Sequence, residues 1–423
     1  MNQRNSEAVG GLTRRRLLAS AGSVAAAGVV AAVSARRAAA DAAPPAVALG
    51  TQPPGLPARQ HAWTRWLHHD EFGNPVAPRF DRLLFFDVRG RATATHALVL
   101  ESRLRTLERR FRWGPDGLLF TVGYGPEYFE RVLGIDSPIE RATRLASFES
   151  PAIDRHQLCL HLACDDQLRL LAIEAALVRG RRLPGVGRSL SLRSVLRWRE
   201  TRTGFTGPGL PRAHQRVAGL GTSAEIPADA PLFMGFKSGL AKNQATEDDV
   251  TILDGYFAQG TTMQVSYMRL RLAEWYEELS EADRVALMYS PQTTVAAVRR
   301  LRTDAAGEPG KILEAITRHG MVGHAQASAQ ARRHGRPIII RRDFDTIDGG
   351  HAGLHFVSLQ RSIQDFVVSR NAMNVAEAHK INPSITATAH NGINAFVDVR
   401  RRANYILPSR AQRSFPLLGP GAG

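Results

Sequence analysis

The sequence predicts an α+β protein assembled from two β-α-β-β-α-β units, and three observations carry that prediction. Short β-rich runs alternate with stretches of helical spacing between residues 82 and 199. The same order returns approximately after residue 260. Between them, Gly204-Phe-Thr-Gly-Pro-Gly209 opens a glycine- and proline-rich break that places a boundary near residues 204–230.

In the first unit, Arg82-Leu-Leu-Phe-Phe-Asp-Val88 reads as a strand. His96 to Arg112 follows with Leu98, Leu100, Leu104, Leu107 and Phe111 at helical spacing. Leu118 to Gly125 is a second strand ending in glycines, with a short helix from Pro126. Gln157 to Ala163 is a third strand, Gln167 to Val178 a second long helix, and Leu192 to Arg199 the closing strand. This is the order of the ferredoxin-like split unit. In the second half, Met263 to Leu272 is a long alternating strand and Ala273 to Met288 a helix, with Ser280-Glu-Ala-Asp283 capping its second part. Pro337 to Arg342 and Gly353 to Leu359 form an antiparallel pair, and Ile363 to Val375 is the final helix. Two such units make a two-layer body.

The first forty residues read as a secretory signal. Thr13-Arg14-Arg15-Arg16-Leu17-Leu18 is followed by an uncharged Ala/Val/Gly stretch to Val33 and by small residues around Ala38-Ala39-Ala40. The paired arginines point to the twin-arginine route. An uncleaved anchor is the alternative, but Leu17 to Val33 is short and alanine-rich for a membrane span. Cleavage leaves 383 of the 423 residues, and because the signal holds six Arg and one Glu, the net charge falls from +16 to +11. Only four of the 55 basic residues are lysines, and no basic stripe with interleaved aromatics appears, so nucleic acid is not expected as a partner.

Cys159 and Cys164 lie in His156-Gln-Leu-Cys-Leu-His-Leu-Ala-Cys164. On a regular strand Leu158, Leu160 and Leu162 share one face, Cys159 and His161 the other, and Cys164 points away from Cys159. These groups do not converge on one ion. The run reads as a half-buried strand with two free thiols.

Phe233-Met-Gly-Phe-Lys-Ser-Gly239 resembles the GxxDG signature of the dye-decolorizing (DyP-type) haem peroxidases. Gly260 to Trp275 is similar to the family's strand-to-helix passage. Leu119 to Phe129 and Gln157 to Asp166 are similar to the N-terminal half of its exported deferrochelatase branch. His324 precedes Arg341-Arg342 by the 17 residues that branch places between proximal histidine and distal arginine. The resemblance covers about residues 80–410 and implies a dimeric α+β barrel-type body holding haem b. It implies that His324 is the axial ligand to the haem iron, that Arg341 stabilises charge on a breaking peroxide bond, and that Gly235, Phe236 and Gly239 line the haem loop. Hydrogen peroxide and a small organic reductant (a dye, a phenolic compound or a porphyrin) would be the substrates. Homo-oligomerisation is left open.

Departures from the family weigh on that expectation. The signature aspartate is Ser238 here, and serine is not a base near neutral pH. Asp343 stands two residues past Arg341, on the same strand face by alternation, and is the candidate to take over the missing carboxylate's task. A surface salt bridge is its plainer reading. An acidic partner for the proximal imidazole would come from Asn391 to Asp398. His319 is the alternative ligand, while His351 and His355 read as structural. A haem carrier, an iron-acquisition component, or a family member without haem remains the alternative function. There is no G-x-S-x-G elbow, no G-x-G-x-x-G after a strand and no C-x-x-C-H site. The expected organisation is a signal at 1–40, an extended arm at 41–79, units at 80–215 and 216–412, and a tail at 413–423.

Overall fold

The computed structural model describes residues 55–217, 219–220, 225–238, 240–299 and 311–418. The proposed signal at 1–40 and Gly239 lie outside the described residues. All the described residues fall in one compact unit.

The first half contains β1 (Phe80–Val88), helix α1 (Ala94–Arg110), β2 (Leu119–Tyr124), β3 (Leu158–Cys164), helix α2 (Gln167–Arg179) and β4 (Leu196–Phe205). Local chemistry sets the helix ends. The Thr93 hydroxyl accepts from the His96 amide to start α1, and the Asp166 carboxylate accepts from the Arg169 amide to start α2. Gly180, at φ 70°, ends α2 in the left-handed conformation. The antiparallel order is β4-β1-β3-β2, that of a ferredoxin-like sheet.

The second half repeats this. It contains β5 (Thr261–Leu270), helices α3 (Leu272–Glu277) and α4 (Glu281–Met288), β6 (Ile340–Arg341), β7 (Phe344–Thr346), β8 (Gly353–Gln360), helix α6 (Ile363–Ala372) and β9 (Val397–Leu407). A short helix, α5 (His324–Ser328), lies between α4 and β6. Ser280 and Asp283 make the expected capping box on α4. The order β9-β5-β8-β7 matches the first unit, with β6 continuing β7 along the same edge of β8. Short junctions, Phe205 with Asp345 and Tyr124 with Ile406, join the two sheets into a closed ring.

Two faces of each sheet follow from strand alternation. Leu84, Phe86, Leu158, Leu160 and Leu162 face α1 and α2, where Leu100, Leu104, Leu107, Leu170, Ile173 and Leu177 complete the largest apolar cluster. Each fully buried leucine there contributes roughly 1.5–3 kcal/mol. Inside the ring, Leu83, Phe85 and Cys159 of one sheet meet Met263, Val265, Val357, Leu359 and Tyr405 of the other. The helix-facing side of the second sheet differs. Across it runs a row of polar side chains, Arg341 beside Ser358, Gln264 and Asn404. Gln264, Ser358 and Asn404 are buried there. The functional residues lie on this polar face.

Several elements differ from the sequence expectation. The strand at 157–163 is buried on both faces, not one, because the ring closes over its second side. Its thiols are free, as expected, but both are buried by the same closure. The fourth strand begins at Leu196 and continues to Phe205, with Leu192 and Val195 buried in the turn before it. The second unit's closing strand, β9, has no counterpart in the sequence expectation. Its arginine run Arg400-Arg401-Arg402 interrupts any apolar alternation, and Arg402 is buried against Glu149. The final helix stops at Ala372, and a further turn follows at Ala376–Ile381. Some described residues outside the two units reach the core. Trp63 is 1% exposed, Phe415 is buried, and Arg413 pairs with buried Glu101 and Glu108.

Candidate functional site

The distal strand sets the geometry. Ile340 and Arg341 pair with Leu359 and Ser358, and Phe344 pairs with His355, so the register runs unbroken from β6 to β7. Alternation then puts Arg341, Asp343 and Asp345 on the helix-facing side. Phe344 points into the ring. Arg342 turns the same way, its guanidinium 3.9 Å from the Trp63 ring centroid and donating to the His61 carbonyl. The paired arginines therefore part, and only Arg341 serves the site.

The loop Phe233 to Ser238 lies over that face. The Phe233 amide donates to Asp345 Oδ2 at 2.5 Å, and the Ser238 hydroxyl donates to Asp343 Oδ2 at 2.6 Å. The loop is held from behind as well. Trp275 Nε1 donates to the Met234 carbonyl, and the Tyr276 hydroxyl to that of Phe233. Gly235, at φ +90°, turns the chain between these anchors, where a Cβ would stand 3.0 Å from the Tyr276 hydroxyl. Phe236 packs edge-on against Trp275 and Tyr289.

Three polar atoms here are closed off from solvent without a hydrogen-bond partner: Arg341 Nε, Asp343 Oδ1 and Asp345 Oδ1. Buried polar groups are paired in the great majority of cases, so three orphans together mark a place built to meet something else. No ion pair reaches the Arg341 guanidinium among the described residues. Burial lowers its pKa, opposed by Asp343, and raises that of Asp343, opposed by Arg341 and Ser238.

His324 opens α5, whose first turn is closed by Gln326 accepting from the Gly323 amide. Burial, with Arg341 and Arg370 nearby, depresses its pKa to about 3, so the imidazole is neutral at physiological pH and keeps a free lone pair. No hydrogen bond to its ring is found among the described residues. The stretch after Asn391 runs against it, Gly392 so closely that a Cβ would lie 2.9 Å from the His324 Cα. The acidic partner expected from this stretch does not materialise. Asp398 lies on β9 and pairs with Arg400 at 2.9 Å. His319 is exposed and His351 too, while His355 is buried and bonded to Asp348. A small recess lies between α5, α6 and the distal strand, lined by Asn243, Ser328, Arg332, Ile339, Arg341 and Ser369.

The structure thus brings Ser238, Arg341 and Asp343 together and makes His324 a neutral donor near Arg341. Asp345 escaped the sequence reading, although the alternation that singled out Asp343 extends one step further to it.

The fold is that of the DyP-type peroxidases. The structure is similar to that of a DyP-type peroxidase from Cellulomonas bogoriensis, with TM-score 0.59 and 17% identity over 86% of this chain and 98% of that one. It is also similar to a variant of Rhodococcus jostii RHA1 DypB in complex with heme, with TM-score 0.55 and 13% identity over 84% and 98%. A third likeness is to the encapsulated DyP-type peroxidase from Mycobacterium smegmatis, with TM-score 0.56 and 14% identity over 84% and 100%. By sequence the chain belongs to the family of unknown function DUF7405, whose profile matches residues 78–409. No curated protein matches it.

Proposed function

We propose that this chain is an exported haem-b protein that uses hydrogen peroxide to oxidise a dye, phenolic or porphyrin substrate. The observation that carries the reading is the union of Arg341, Asp343 and Ser238, with orphaned atoms, beside a histidine held neutral. The donor set suits a haem: His324 would hold the iron through its free ring nitrogen, and Arg341 and Asp343 would supply the charge and the proton acceptor that peroxide chemistry needs. Bound haem would supply the redox centre. Asp343 takes the proton of the incoming peroxide and returns it to the departing oxygen, and its raised pKa makes it a better base than an ordinary carboxylate. Ser238 holds the Asp343 carboxylate in place. The unpaired Arg341 guanidinium stabilises the charge that develops as the O–O bond parts. The twin-arginine pattern supports delivery to the periplasm or beyond.

A second reading is a haem carrier or a family member without haem. Ser238 in the place of the signature aspartate favours it, because serine is not a base near neutral pH. Reconstitution of the mature chain with haem separates these readings. A Soret band lost in His324→Ala, with peroxide-dependent dye oxidation, supports the peroxidase. Binding without turnover supports the carrier, and no binding overturns both haem assignments.

A further inference from the structure

The distal strand carries more charge than the peroxide chemistry above employs. Asp345 is 0% exposed, and its Oδ2 accepts from the Phe233 amide while its Oδ1 has no partner. Asp343 is half-buried, with Oδ2 on the Ser238 hydroxyl and Oδ1 likewise unpartnered. Alternate residues on one strand face stand about 7 Å apart. Among the described residues the cluster therefore holds these two carboxyls and the Arg341 guanidinium.

An unpaired charge in such a place is strongly unfavourable, whereas a carboxylic acid is tolerated far better. With Arg341 positive, the neutral arrangement has one carboxylate and one protonated carboxyl. The surroundings decide which is which. Asp343 has Arg341 two residues away and a hydroxyl donor. Asp345 has a single backbone amide, the charge of Asp343 beside it, and Tyr276, whose hydroxyl is turned to the Phe233 carbonyl.

We propose that Asp343 and Asp345 form an electrostatically coupled carboxyl pair that carries one proton, held on Asp345, and one negative charge, on Asp343. Asp345 is then a positioning residue. It fastens the loop at Phe233 and keeps Asp343 as the one ionised base beside Arg341. Burial, with the Asp343 charge adding to it, pushes the Asp345 carboxyl well above the carboxylate range. The catalytic purpose of the pair rests on the haem-peroxide reading, but the pair belongs to the polypeptide alone, so its test needs no haem.

The test is infrared difference spectroscopy of the mature chain without added haem at neutral pH, reading the C=O stretch of protonated carboxyls in H2O and D2O. Asp345→Asn keeps an oxygen for the Phe233 amide and should lose one such band. Asp343→Asn should move that band's titration to lower pH by about one unit or more, because Arg341 is then left to Asp345. A spectrum in which Asp345→Asn removes no band overturns the assignment. If that variant fails to fold, Asp343→Asn decides alone, and an unmoved titration overturns the coupling. A haem-free chain that shows the pair but never binds haem would refute the peroxidase and leave the pair standing.

Discussion

Replacing Ser238 by alanine isolates the bond on which the distal site depends. The hydroxyl donates to Asp343 Oδ2 at 2.6 Å, and Oδ1 already lacks a partner, so the variant leaves the carboxylate without a hydrogen bond. A hydrogen bond to a charged group is worth about 1.5–3 kcal/mol, and one to a neutral group about 0.5–1.5. The loss should therefore be larger at neutral pH, with Asp343 ionised, than near pH 4, by about 1 kcal/mol. Equivalently, the Asp343 pKa should rise by roughly one unit in the variant. Because that pKa is already raised in the folded chain, Asp343 costs stability as pH climbs from its unfolded value through its folded one, and Ser238→Ala makes the decline steeper. Denaturant unfolding of both proteins at the two pH values measures this. An equal ΔΔG at both, or one under about 0.5 kcal/mol throughout, would refute the ionised Asp343 and its dependence on Ser238.

Three other perturbations probe separate parts of the molecule. Asp343→Asn should lower peroxide turnover of the reconstituted protein by about 10²–10⁴ while leaving the haem spectrum in place, as stopped-flow absorbance would show. Arg413→Leu leaves Glu101 and Glu108 buried with one cation fewer and should cost about 3–5 kcal/mol in chemical denaturation. Burial, then Arg342 and Arg59, hold the His61 pKa at about 3 against 6.5 in a free histidine. Its share of stability is complete above pH 6.5 and is lost as pH falls toward 3, so His61→Gln should flatten the acid limb of the stability profile.

Much of this protein is written in local patterns. The helices at 94–110 and 167–179, the capping box at Ser280 and the strand order of the first unit follow from periodicity and end signals that neighbouring residues supply. The alternation of Arg341 and Asp343 was equally legible, because a strand fixes side-chain direction residue by residue. What the sequence alone left undecided depends on partners distant along the chain. Strand β9 hides behind its arginines, since Arg402 is paid for by Glu149 some 250 positions away. The strand at 158–164 looked half-exposed because nothing local shows that a second sheet closes over it. Only the tertiary structure set Ser238 on Asp343, turned Asp398 to Arg400, and sent Arg342 into the ring while, among the described residues, no ion pair reached the Arg341 guanidinium. Periodicity assigns a residue to a face. The charge and the proton it carries there are decided by burial and by partners that only the folded chain brings near.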